Sequence, residues 1–68
     1  MDGYTRIMFT DHELAAWLRR RRIDPGTPHV VANAHYYGKP GKAAEAVVIF
    51  DNAKPDRAIY VRDDLARR

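Results

Sequence analysis

The spacing of apolar positions changes along the chain, and each change marks an element. Tyr4 to Phe9 alternates, with Thr5, Ile7 and Phe9 on one side and Tyr4, Arg6 and Met8 on the other. That period of two predicts a strand. From Glu13 to Arg22 the residues are strong helix formers, and Leu14, Trp17 and Leu18 make one apolar stripe with Ala15 beside it. Thr10-Asp11-His12-Glu13 has the capping-box pattern, in which the threonine oxygen takes the N3 amide and the glutamate reaches back. Arginines in the last turn meet the carbonyl end of the helix dipole. Asp24-Pro25-Gly26 is expected to stop the helix and set a turn.

Pro28 to Tyr37 alternates again and reads as one continuous strand. On that reading Val30, Ala32, Ala34 and Tyr36 share one face, and His29, Val31, Asn33, His35 and Tyr37 share the other. Gly38-Lys39-Pro40-Gly41-Lys42 predicts a hairpin connection. Val47 to Phe50 is apolar on both faces, which suits a central strand or one covered by a partner. Ala43-Ala44-Glu45-Ala46 favours helix by propensity, so the start of that strand is left open. Lys54-Pro55-Asp56 turns the chain, Arg57 to Arg62 alternates as a last strand, and Asp63 opens a closing helical turn anchored by Leu65. The expected fold is α+β: a single domain over residues 1–68, arranged β-α-β-β-β, with one amphipathic helix packed on a mostly antiparallel sheet and a short C-terminal helical turn.

Length and composition narrow what such a domain can rely on. A chain of 68 residues is one domain with a thin core, burying only about 60% of the surface its unfolded form exposes. It has no cysteine, which excludes disulfides and any thiolate zinc site. Stability must then come from tight packing or from a partner subunit, and a homodimer is one expected route. Met1 leads into a strand with no charged segment followed by a long apolar run, and Ala46 to Phe50 is too short to span a bilayer. The expectation is a cytoplasmic protein with no membrane contact.

The formal charge is +3, and its distribution matters more than its sum. Basic residues gather at Arg19-Arg20-Arg21-Arg22, at Lys39 and Lys42, and at Arg67-Arg68. Guanidinium groups clamp phosphate or carboxylate oxygens in pairs, so Arg19, Arg20 and Arg22 are candidate contacts for an anionic partner. Four consecutive helical residues cannot all face one ligand, and Arg21 falls near the apolar stripe and must snorkel or lie past the helix end. Asn33, His35 and Tyr37 lead into the turn that holds Lys39 and Lys42, a combination in which rings could stack on bases while lysines hold phosphates. The turn is not a nucleotide-hydrolysing loop, because it lacks the four-residue spacer between glycines and the Ser/Thr after the lysine. His29 and His35 would stand about 20 Å apart on an extended strand, too far to share a metal, so no metal or other cofactor is expected.

Three functions are consistent with these residues. The leading expectation is a small non-enzymatic regulator or inhibitor that docks on a protein partner, of the kind carried by phages and other mobile elements, on a nucleic-acid-handling complex. Arg19 to Arg22 would meet acidic residues, with Tyr36, Tyr37 or Trp17 as anchors. It draws on Val47 and Ile49, which want cover on a face the single helix cannot reach. The alternative is a basic nucleic-acid-binding module. The second alternative is an RNase-type toxin working through His35, Tyr36, Tyr37, Tyr60, Arg57 and Arg62.

Overall fold

A computed structural model describes residues 1–51 and 57–66. The elements run β1 (Tyr4–Ile7), α1 (Asp11–Arg20), β2 (His29–Val31), β3 (Ala34–Tyr37), β4 (Ala46–Phe50), β5 (Arg57–Arg62) and α2 (Asp63–Ala66). The strands form a five-stranded sheet in the order β1-β5-β4-β3-β2, every ladder antiparallel. This is the α+β domain expected, with one strand more. The Lys54-Pro55-Asp56 turn and the Arg67-Arg68 cluster lie outside the described residues.

The extra strand comes from a hidden turn. Residues 28–37 are not one strand, because the chain reverses at Ala32-Asn33 and pairs Val31 with Ala34. Ala32 takes φ 51, at the first central position of a two-residue hairpin loop where glycine is the usual occupant. Asn33 secures the reversal by gripping Phe50: its carbonyl accepts from the Phe50 amide at 2.8 Å, and its side-chain amide donates to the Phe50 carbonyl at 2.7 Å. A reversal of this length swaps parity. His29 and Val31 therefore share a face with Tyr36 and Ala34, while Val30 sits opposite His35.

Helix α1 starts where its cap dictates. The Thr10 hydroxyl accepts from the Glu13 amide at 3.1 Å, and the Glu13 carboxylate accepts from the Thr10 amide at 3.2 Å. The helix ends at Arg20, earlier than Asp24-Pro25-Gly26 suggested. Its end is a Schellman motif: the Ile23 amide donates to Leu18 O at 3.0 Å and the Arg22 amide to Arg19 O at 2.9 Å. Ile23 then folds back onto Leu18, both of them buried in the core. Asp24-Pro25-Gly26 makes a separate turn, with the Gly26 amide donating to the Asp24 carboxylate at 2.8 Å.

The motif places Arg22, an exposed residue, at φ 62, where glycine is preferred. Arg22→Gly is therefore expected to stabilise the fold by about 0.5–1 kcal/mol, the relief of strain exceeding the added freedom of the unfolded chain. A thermal melt would read this as a Tm higher by a few degrees. An unchanged or lower Tm would mean that no strain is held there.

Leu14, Leu18 and Ile23 pack on Ala46, Val48 and Ile59, with Phe9, Trp17 and Tyr37 closing the margin. These sheet residues, linked by register, define the helix-covered face. β4 is central, and Ala46, Val47 and Val48 are all buried. Of the alanines left open by the sequence, Ala46 begins this strand, while residues 43–45 are neither helix nor strand. At the other end of the chain α2 packs against β1 and β5 with Leu65 buried, and the Asp63 carboxylate accepts from the Thr5 hydroxyl at 2.6 Å.

Candidate functional site

The face of the sheet away from α1 carries a row that crosses every strand. The ladders pair His29 with Tyr36, Tyr36 with Val47, Val47 with Tyr60, and Tyr60 with Arg6. At the usual strand spacing this row spans about 19 Å, and the two tyrosines stand about 10 Å apart on either side of Val47. Val47 is only 1% exposed although it lies on the face away from α1. Its neighbours in the row are Tyr36 and Tyr60, both half-buried. The cover that Val47 was expected to need from a partner is thus supplied by the chain itself. The row contains no carboxylate, and both its ends, His29 and Arg6, are exposed.

Beside this row Tyr4 pairs with Arg62. Both also fasten the chain between β3 and β4: the Tyr4 hydroxyl donates to Ala44 O at 2.6 Å, and Arg62 donates to Ala43 O at 3.3 Å. Arg62 is doubly bonded to Asp64, at 2.6 and 2.9 Å, and this hydrogen bonding holds its pKa above the ordinary arginine value.

The same connection carries the two lysines. Lys39-Pro40-Gly41-Lys42 is a turn closed by the Lys42 amide donating to Lys39 O at 3.1 Å. Proline at the second position and Gly41 at φ 74 in the third are the signature of a type II turn. Such a turn brings its first and fourth residues within about 7 Å, so Lys39 and Lys42 stand side by side at its base. Gly38 lets the returning chain pass close, since a side chain there would meet Ala44 Cα at 3.2 Å. Glu45 locks the connection to the helix end. Its carboxylate accepts from Arg21 at 2.9 and 3.4 Å, and the Arg21 guanidinium lies 5.3 Å from the Trp17 ring centre. Arg21 does snorkel, into an ion pair rather than to open water.

Between this turn and the start of β2 lies an open cleft of about 670 Å³. His29, Tyr36, Lys39 and Lys42 are on its walls, along with Pro28 and Pro40. Of the residues expected to make a contact surface, then, Lys39 and Lys42 come together with members of the tyrosine row.

The others are placed differently. His35 and Tyr37 lie on the helix-covered side: His35 packs its ring 4.7 Å from that of Phe50, and Tyr37 borders the core. Burial pushes the Tyr37 hydroxyl above the usual tyrosine range, Asp11 adds to the rise, and Arg57 opposes it. Arg57 also forms an ion pair with Asp11. Asn33 bonds the Phe50 backbone at the hairpin. Arg19, Arg20 and Arg22 are exposed at the end of α1, in the layer over the opposite face, and none of them lines the cleft.

Sequence spacing gives no reason to join Arg6 and His29 to Tyr36 and Tyr60, because four strands contribute and the hairpin resets their parity. Among the described residues no group of three or more His, Cys, Asp or Glu gathers as a metal would require, and no helix is long and apolar enough to cross a membrane. No family model, no curated protein and no solved structure matches the chain.

Proposed function

We propose that this chain is a non-enzymatic module that binds single-stranded nucleic acid on the sheet face away from α1. The observation that carries the reading is the row His29–Tyr36–Val47–Tyr60–Arg6. Two tyrosines on the sheet offer stacking surfaces that any base can use, and exposed Arg6 at one end of the row, with Lys39 and Lys42 on the turn beside the other, attracts the backbone. In a duplex, stacking between neighbouring pairs hides the faces of the bases, so the platform suits unpaired strands. The net charge of +3 is modest, which fits a short site.

Fluorescence anisotropy with labelled single-stranded DNA and RNA octamers, across a salt series, tests this. The expected result is micromolar binding at low salt, weaker binding to duplex, and a log–log salt slope of about −2 to −3, as for three or four phosphates. Absence of saturable binding to either strand type, or equal affinity for duplex, overturns the reading.

A protein partner is the second reading, and one observation favours it. Edge strand β2 leaves Val30 and Val31 each about half exposed, at 53% and 51%. A partner strand added along β2 would cover them. Val30→Lys would abolish such a complex in a sedimentation assay and leave nucleic-acid binding on the far face intact.

A further inference from the structure

We infer that the cleft between the Lys39–Lys42 turn and the start of β2 is a pocket for the phosphorylated terminal nucleotide of the bound strand. The inference deepens the single-strand reading and rests on it. Tyr36 and His29 belong to both the row and the cleft, so the cleft adjoins the β2 end of the platform. β2 is the sheet edge, and among the described residues no further strand extends the stacking surface beyond His29. A chain lying along the row ends here or leaves the sheet.

The chemistry of the walls fits an end rather than a middle. The cleft holds about 670 Å³, within the range of small-molecule sites. Among the described residues no carboxylate lines it. The type II turn holds the backbones of Lys39 and Lys42 within about 7 Å of each other, and both residues line the cleft. An internal phosphodiester brings one negative charge, whereas a phosphomonoester at neutral pH carries roughly −1.5 to −2. Two lysines on one turn of the cleft match the second better. Tyr36, Pro28 and Pro40 supply flat or apolar surface for the base and sugar of the same nucleotide.

The test compares one octamer sequence in three forms: hydroxyl at both ends, phosphate at the 5′ end, and phosphate at the 3′ end. One phosphorylated form is expected to bind about tenfold more tightly than the hydroxyl form, and which one gives the strand polarity. Lys39→Gln with Lys42→Gln, at two exposed positions, should make the three forms bind alike. In parallel, a nucleoside monophosphate and its unphosphorylated nucleoside are titrated while amide resonances are followed by NMR. Shifts at His29, Tyr36, Lys39 and Lys42 with the monophosphate alone support the pocket even if no octamer binds. Equal affinity of all three octamers overturns the pocket and leaves the platform standing. Failure of every octamer together with a silent monophosphate titration overturns both.

Discussion

Replacing Tyr36 and Tyr60 together by leucine is expected to weaken single-strand binding about a hundredfold while the protein stays folded. Base–aromatic stacking is worth about 1–3 kcal/mol per base, and the double substitution removes two platforms. Leucine is chosen because Tyr36 and Tyr60 flank the buried Val47 in register, and alanine would remove apolar bulk on both sides of it. Leucine keeps apolar cover and deletes only the stacking face. Each single substitution should lose about tenfold. Anisotropy titrations read the affinity, and circular dichroism confirms the fold. If both variants bind like the native chain, the bases do not sit on this row. If affinity falls only for Arg6→Gln and not for the tyrosine variants, the contact is purely electrostatic.

Leu18→Ala is expected to cost about 3–4 kcal/mol and to bring the domain close to unfolding. Leu18 is fully buried, at 0% exposure, and it joins two structures at once. It packs α1 on Val48 and Ile59, and it is the residue onto which Ile23 closes the Schellman turn. Truncating a buried leucine loses its transfer free energy and leaves a cavity. A domain of this size has a total stability on the order of 3–10 kcal/mol. Urea unfolding should show the midpoint collapse, while Leu18→Met, which keeps the volume, should cost less than about 1.5 kcal/mol. A midpoint unmoved in the alanine variant would show that α1 is not what holds the sheet.

Much of this could be read locally. Thr10 and Glu13 announce a helix start because a capping box needs only residues three apart, and both bonds form. Leu14 and Leu18 fall on one helical face and do become core. Pro40-Gly41 between two lysines specifies a turn whose geometry alone brings Lys39 and Lys42 together. Val47 to Phe50 is a central strand, as its two apolar faces imply. The hairpin at Ala32-Asn33 was not legible, because alanine stands where glycine would signal the reversal and the alternation runs on without a break. Placing that one turn would have moved His29 to the Tyr36 face, whereas the burial of His35 and Tyr37 on the α1 side is decided by helix packing.

The expected stop at Asp24-Pro25-Gly26 failed for a related reason. The helix ends through Arg22 in a left-handed conformation, stabilised by the burial of Ile23 against Leu18 rather than by any preference of arginine. Local sequence determined the elements whose causes are local: cap, stripe, type II turn and apolar strand. Tertiary structure decided the site. The row of His29, Tyr36, Tyr60 and Arg6 exists only when four strands are in register around β4, and register is set by long-range packing that no single stretch of chain contains.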